Sequence, residues 1–508
     1  MEQVNLLSYQ DYPKEPVMLD NLSVKFMKQA KFVPLSLHDN TLAIAMAQTD
    51  DPYTVESLKF AYNFTVKVFE GKSEDIFETI ERLYGAGSQS IETIIEEARK
   101  GVYEISAEGE ADVDHLRDMA SEAPIIRLVN RLILNAVEIK ASDIHFEPFE
   151  TEFKVRYRVD GVLHDVESPP KRLQAAIISR VKIMSKLDIA ERRLPQDGRI
   201  KLKISDREID FRVSTVPTLF GESLVMRILD RETLISDLTQ IGFPSDILNE
   251  YLELISQPYG MILVTGPTGS GKTSTLYTTL AKINSPESKI ITLEDPVEYQ
   301  LHGVNQIQVS PKIGLTFANG LRSIVRQDPD IILVGEIRDK ETAEIAIQSA
   351  LTGHLLFSTL HTNDAAGAVT RLLDMGVENF LLSSTLLGVL AQRLVRVICP
   401  HCKKEVRPDP KLLRAMNLKP DESAKIRFYA GEGCEQCRGT GFKGRTAIFE
   451  YLPTDDDIRR EIIASSGADK IKKVAMKKGH RTLREDGWHK VRDGITTISE
   501  VLRVTLEI

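Results

Sequence analysis

Gly266-Pro267-Thr268-Gly269-Ser270-Gly271-Lys272-Thr273 spells G-x-x-x-x-G-K-T and constrains this chain more than any other eight positions. The apolar run Met261-Ile262-Leu263-Val264 leads into it, and Ser274-Thr275-Leu276-Tyr277 continues as a helix-like stretch. A strand, a glycine-rich turn and a helix in that order make a phosphate-binding loop, because the glycines let successive backbone N–H groups turn toward one anion. The N-terminus of the helix adds the positive end of its dipole. In such a loop Lys272 reaches the β- and γ-phosphates and Thr273 holds Mg²⁺. The pattern predicts a nucleoside triphosphate site over residues 266–273.

Three further stretches bear on that site. Ile331-Ile332-Leu333-Val334-Gly335-Glu336 reads as a buried strand ending in a carboxylate, which suits an acid that meets Mg²⁺ or its water. Thr292-Leu293-Glu294-Asp295-Pro296-Val297-Glu298 gathers three carboxylates within five residues, enough to orient a water or ligate a cation. His354 and His361 flank the apolar run Leu355-Leu356-Phe357, and such a pair in a nucleotide domain can sense a γ-phosphate.

All four cysteines fall into two C-x-x-C pairs, Cys399/Cys402 and Cys434/Cys437, separated by residues 403–433. Four thiolates complete a tetrahedral Zn²⁺ shell with no open position, so the expected site is structural. His401, inside the first pair, is a spare ligand. The opening Met1-Glu2-Gln3-Val4 has neither a basic nor an apolar leader region, so no secretory signal is expected and the cysteines read as metal ligands rather than disulfides.

At 508 residues the chain exceeds a single core. The apolar stretch from Phe380 to Ala391 is too short to span a bilayer and is closed by Arg393, so any membrane role is expected to be peripheral. A net charge of −9 argues against a broad nucleic-acid-binding surface, and no nucleic-acid partner is expected. Residues 1–100 read as a small α/β domain for docking a partner, and the acidic stretch 101–120 as a flexible linker. Ile125, Leu128, Val129, Leu132, Ile133, Ala136 and Val137 then share one helical face. Phe153, Val155, Tyr157 and Val159 follow with period two, Asp160-Gly161 offers a tight turn, and more strands are expected at residues 209–213 and 224–228. This second α+β domain covers 121–235. The nucleotide domain, a mostly parallel sheet between helices, covers 236–396; the cysteine insertion covers 397–445 and a helical region 446–508.

The four ordered boxes resemble those of the secretion ATPase superfamily that powers type II secretion and type IV pili. Residues 266–273 are similar to its Walker A, 292–298 to its Asp box, Gly335-Glu336 to its Walker B and 353–361 to its His box. The resemblance, over about residues 120–508, implies an α/β fold with a PAS-like second domain and a RecA-like ATPase domain in a homohexamer. It implies that Glu298 activates water, that Glu336 supports Mg²⁺, and that Lys272 and His361 act at the γ-phosphate. It places Glu294, Asp295 and His354 beside the nucleotide. It further implies phosphate-contacting arginines on the second domain, here Arg212 and Arg227; Arg322 and Arg326 are weaker candidates. The tetracysteine insertion resembles the assembly branch rather than the retraction ATPases. No Arg-Leu-Gly motif with spaced leucines, the cyclic-di-GMP pattern of some pilus members, precedes Gly101, and the short N-terminal domain is similar to that of the GspE branch. That branch implies a cytoplasmic motor on the inner membrane, with the GspL cytoplasmic domain and the GspF platform protein as partners. A zinc-containing ATPase that moves DNA would share the loop and the cysteines, but its basic, aromatic-rich groove is missing.

Overall fold

A computed structural model describes residues 24–38, 40–49, 51–62, 64–84, 113–166, 168–204, 207–230, 237–416 and 426–505, together with positions 12, 13, 17, 19 and 22. Its contacts divide the chain into two units, Met1–Asp230 and Arg231–Ile508.

In the first unit, β1 (Phe32–His38) and β2 (Thr41–Met46) pair antiparallel, and β3 (Thr65–Glu70) adds parallel to β2. Helices α1 (Val24–Ala30), α2 (Pro52–Tyr62) and α3 (Ser73–Tyr84) complete this small domain, whose core includes Met27, Phe32, Ile44, Leu58 and Ile80. Of the expected linker, residues 101–112 lie outside the described residues, whereas Val113–Ser121 is a helix, α4. The acidic composition there is misleading, because Leu116, Met119 and Ala120 are all buried. Helix α5 (Ala123–Glu138) follows, and its buried residues are the seven whose spacing predicts the apolar face.

The sheet beyond it is antiparallel throughout, in the order β6-β5-β4-β9-β8-β7. Its strands are β4 (Asp143–Pro148), β5 (Phe153–Val159), β6 (Val162–Asp165), β7 (Gln196–Ile204), β8 (Arg207–Thr218) and β9 (Gly221–Asp230). Alternation sorts the two faces: Phe153, Val155 and Tyr157, with Ile209, Phe211 and Val213, point into the core shared with α5 and α6 (Gln174–Met184). The intervening residues, Arg212 among them, occupy the other face.

The second unit is built on a seven-stranded sheet, ordered β12-β11-β13-β14-β10-β15-β18. Its strands are β10 (Gly260–Thr265), β11 (Ile290–Glu294), β12 (Val304–Gln308), β13 (Ile331–Val334), β14 (Leu355–Leu360), β15 (Leu386–Ile398) and β18 (Phe442–Pro453). All pairs are parallel except β15 with β18. Every residue of β10, β11, β13 and β14 is buried, as helices on both faces require. The helices used below are α7 (Lys272–Ile283), α8 (Lys340–Leu351), α9 (Ala365–Asp374), α10 (Ala468–Lys477), α11 (Leu483–Arg492) and α12 (Ile498–Thr505). Two sequence expectations change here. The apolar stretch ending at Ala391 divides into a short helix, Asn379–Thr385, and the long strand β15. Residues 446–453, expected to open a helical region, belong to β18 and so close the nucleotide domain's own sheet.

Candidate functional site

The glycine-rich loop joins the C-terminal end of β10 to α7. Gly266 and Gly271 have φ values of 147° and 88°, open to glycine and strained for any other residue. Space is short as well: a Cβ on Gly266 would lie 2.5 Å from the Gln392 carbonyl oxygen, and one on Gly271 2.8 Å from Gln392 Nε2. The Lys272 ammonium donates to the carbonyls of Gly266 (2.7 Å) and Pro267 (3.2 Å), which hold its charge at the loop. Burial lowers its pKa to about 8; Glu336 opposes that shift and Arg393 adds to it. The Ser270 hydroxyl is buried without a hydrogen-bond partner among the described residues, and Thr273 is exposed on the first turn of α7. An ammonium, an unmatched hydroxyl and a helix N-terminus at one loop fit a polyphosphate with its Mg²⁺.

Strand β14 lies between β10 and β13, so the turn after it sits between the phosphate loop and Glu336. His361, on that turn, has Nε2 3.2 Å from Glu336 Oε2. Glu336 also ion-pairs with Arg338. Side chains of β14 fix the Glu336 turn, as Thr359 Oγ1 donates to Gly335 O (2.7 Å) and Ser358 Oγ to Val334 O (2.8 Å). The P-loop strand is tied to the same region: Thr362 N donates to Thr265 Oγ1 at 3.0 Å.

His354 does not join them. Gly260 pairs with Leu355 and Thr265 with Leu360, which puts His354 at the N-terminal edge of the sheet, about 20 Å of strand from the loop. There its Nδ1 lies 2.7 Å from Ser349 O, at the end of α8. The expectation that His354 contacts nucleotide is therefore corrected: the strand that links the two histidines also holds them at opposite sheet edges.

The three carboxylates of residues 292–298 have separate environments. Glu294 is buried and accepts from Thr292 Oγ1 (2.5 Å), Gln306 Nε2 (3.2 Å) and the Tyr277 hydroxyl, whose pKa burial and this carboxylate raise. Glu294 thus fastens α7 to β11 from within, a structural task rather than contact with nucleotide. Asp295 is exposed near Arg338, and Glu298 is half-buried with its backbone N–H on the Tyr277 hydroxyl at 3.3 Å.

Two residues absent from the sequence expectations border the loop. Thr265 pairs with Ala391, so Gln392 and Arg393 continue β15 directly alongside it. Gln392 is buried, and its Oε1 accepts from Thr275 Oγ1 of α7 at 2.7 Å. Arg393 donates to Asn363 Oδ1 at 2.9 Å, beside the His361 turn. Nothing local marks them; only the parallel pairing of β15 with β10 does. Arg322, by contrast, is engaged at the surface with Glu341 (2.6 Å), and Arg326 donates to the Arg322 carbonyl (2.7 Å).

The four cysteines converge between β15 and β18, beside the hairpin of β16 (Lys403–Val406) and β17 (Phe428–Gly431). Their sulfurs all lie within 4.8 Å of one another, with Cys399–Cys434 at 3.9 Å and both Cys402–Cys437 and Cys434–Cys437 at 3.7 Å. Four sulfurs about 2.3 Å from a central Zn²⁺ would be about 3.8 Å apart, so the cluster fits that ion. The backbone N–H groups of Cys434 (3.1 Å) and Gly441 (3.3 Å) point at Cys437 Sγ, as a thiolate ligand requires. His401 is exposed and stands outside the cluster.

Residues 118–503 match the family model described as "Type II/IV secretion system protein". The chain belongs to the type II/IV secretion ATPase family. As a member it is an ATP-hydrolysing enzyme, and the family implies ATP with Mg²⁺. Residues 3–90 match a second model, the MshEN domain. The Type II secretion system protein E of Xanthomonas campestris pv. campestris is 52% identical over 491 residues, 96% of this chain and 85% of that protein. The Type IV pilus assembly ATPase PilB of Myxococcus xanthus is 44% identical over 501 residues, 98% of this chain and 88% of that one. Among solved structures, the pilus retraction motor PilT with bound ADP aligns with a TM-score of 0.51 and 26% identity, covering 74% of this chain and 97% of that one. Among the described residues of this secretion ATPase, no helix is long and apolar enough to cross a membrane.

The arginines of the first unit form a cross-strand row on the polar face of its sheet. Arg199 pairs with Arg212, Arg212 with Arg227, Arg227 with Asp143, and Asp143 with Arg158. Asp143 is buried and holds Arg227 Nε at 3.0 Å, leaving that side chain half exposed, with Arg158 Nε at 3.8 Å. Arg227 and Arg158 thus flank Asp143, and Arg212 and Arg199 continue the row across β8 and β7.

Proposed function

We propose that this chain is the homohexameric motor of a type II secretion system, which hydrolyses ATP at the cytoplasmic face of the inner membrane to assemble a pseudopilus. The observation carrying this reading is the 52% identity across 96% of the chain to a type II secretion system protein E. In this reading residues 266–273 bind the triphosphate, Thr273 and Glu336 hold Mg²⁺, and Glu298 takes the proton of the attacking water. The new P–O bond forms at the γ-phosphorus as the bond to the β–γ bridging oxygen breaks, giving ADP and phosphate. Lys272 and His361 follow the γ-phosphate, and Arg212 and Arg227 reach the nucleotide of a neighbouring subunit. Zn²⁺ on Cys399, Cys402, Cys434 and Cys437 braces the insertion. Residues 1–100 dock on the cytoplasmic domain of GspL, and GspF is the platform that the motor drives.

A second reading, a type IV pilus extension ATPase, is favoured by the 44% identity to PilB over 98% of the chain. Replacing the chromosomal gene with a Lys272→Ala allele separates the two. Lost export of secreted enzymes with normal surface piliation supports the type II assignment; lost pili with normal export supports the pilus one. Light scattering of the purified protein with ATP tests the hexamer.

A further inference from the structure

Glu450 is a buried carboxylate at the active-site edge of the sheet that the reaction scheme leaves unused. Cross-strand pairing runs Leu360 to Thr265, Thr265 to Ala391, and Ala391 to Glu450, so Glu450 lies level with the end of the P-loop strand. Its Oε1 accepts from Ala365 N at 2.9 Å and its Oε2 from Leu483 N at 3.3 Å. These are the first residues of α9 and α11, so one carboxylate closes two helix N-termini.

Neither helix lacks a cap of its own. Asp364 accepts from Gly367 N at 2.8 Å, and Thr482 forms a reciprocal capping box with Glu485. A buried carboxylate also costs stability unless its partners offset the desolvation. What Glu450 adds is therefore a tie between two helices. One of them begins immediately after the turn that carries His361. That turn is clamped on its other side by Thr265 Oγ1, which meets Thr362 N, and Lys472 Nζ of α10 pairs with Asp364 at 3.2 Å. The C-terminal helices thus hold the His361 turn at two adjacent residues, Asp364 and Ala365.

We propose that Glu450 is a positioning residue for hydrolysis: through Ala365 it fixes the His361 turn, and through Leu483 it makes that turn answer to the C-terminal helices. This rests on the reading that His361 takes part in hydrolysis. Binding of ATP depends on the glycine loop and Lys272, which Glu450 does not touch, so Glu450 governs turnover rather than affinity.

The test is a double-mutant cycle of Glu450→Gln with His361→Ala, reading kcat by phosphate release and ATP affinity with a fluorescent analogue. The amide keeps the shape and loses one acceptor. Glu450→Gln should lower kcat about tenfold with affinity changed less than about twofold, and should add under about twofold in the His361→Ala background, as residues acting as a unit do. Wild-type kcat in Glu450→Gln, a matching loss of affinity, or losses that multiply in the double variant each overturn the proposal. His361→Ala with wild-type turnover removes the underlying reading and the proposal together; a slow His361→Ala beside a normal Glu450→Gln removes only the proposal. Should Glu450→Gln not fold, Lys472→Met, on a partly exposed side chain, tests the same clamp: it should lower kcat at unchanged affinity, and wild-type kcat overturns the proposal.

Discussion

Glu336 and His361 stand 25 residues apart in sequence, yet Glu336 Oε2 and His361 Nε2 lie 3.2 Å apart. The sheet order brings them together, because β14 runs between the P-loop strand and β13, whose following turn carries Glu336. A carboxylate so engaged has its orientation set before any substrate arrives, which suits an acid that must meet a cation in one geometry.

Glu298 and Glu336 are expected to fail in different ways. Glu298→Gln should bind ATP as the native protein does and lose at least about 100-fold in turnover, since it removes a proton acceptor. Glu336→Gln should lose comparable activity and also require more Mg²⁺ for half-maximal binding of a nucleotide analogue. Normal hydrolysis by Glu298→Gln beside an inactive Glu336→Gln would reverse the two roles.

Arg227→Ala should bind ATP and hydrolyse it poorly, because a cross-subunit arginine can supply roughly 10³–10⁵ in rate. Mixed with Lys272→Ala subunits it should recover part of the activity, as some interfaces then combine one intact half from each chain. Wild-type turnover in Arg212→Ala, Arg227→Ala and the double variant would rule out both residues.

Cys402→Ser should release the metal, since structural zinc sites carry roughly 10–16 kcal/mol of apparent binding free energy. Elemental analysis of native protein purified without chelator should find one zinc per chain, and a zinc-free preparation refutes the assignment. Strands β10, β11, β13 and β14 carry none of the four cysteines and are fully buried in the nucleotide domain's own sheet, so their amides should keep slow hydrogen exchange in the variant.

Glu500 supplies a pH test. It is buried on α12 and accepts from Arg396 Nη2 (2.7 Å), Arg396 N (3.0 Å) and Arg503 Nη2 (2.8 Å). Burial alone would raise its pKa; the two guanidiniums outweigh burial and hold it at about 2. A carboxyl depressed in the folded state contributes stability above its unfolded pKa, and that contribution disappears as pH falls through the folded value. The contribution, roughly 3 kcal/mol at neutral pH from about 1.4 kcal/mol per pKa unit, should fade between about pH 4.5 and 2. Urea denaturation of Glu500→Gln should show lower stability at pH 7 and a shallower acid decline; parallel curves for variant and native protein would contradict this.

Local periodicity carried much of the sequence reading. The α5 face, the alternation of β5 and the Walker A loop are written in neighbouring residues, and each stands where the spacing puts it. Residues of the site that depend on sheet order were not legible. Gln392 and Arg393 lie beside the loop because β15 pairs with β10, a long-range choice with no local signal. His354 shows the opposite error: proximity in sequence suggested proximity in space, although an intervening strand separates its ends by its own length. Composition alone does not separate Glu294 from Glu298 in a run of acids, but the first ends β11 and turns into the core while the second lies beyond the strand.

Strand β15 passes Gln392 at the phosphate loop and ends at Ile398, one residue before Cys399. Strand β18 pairs with it along that course, with one shift of register between Arg396 and Ile398. The cysteine lobe thus continues from the same two-stranded ladder that, at Gln392, borders the phosphate loop. Cysteine lobe and phosphate loop, 136 residues apart in sequence from Gly266 to Cys402, therefore share one pair of strands as their common support.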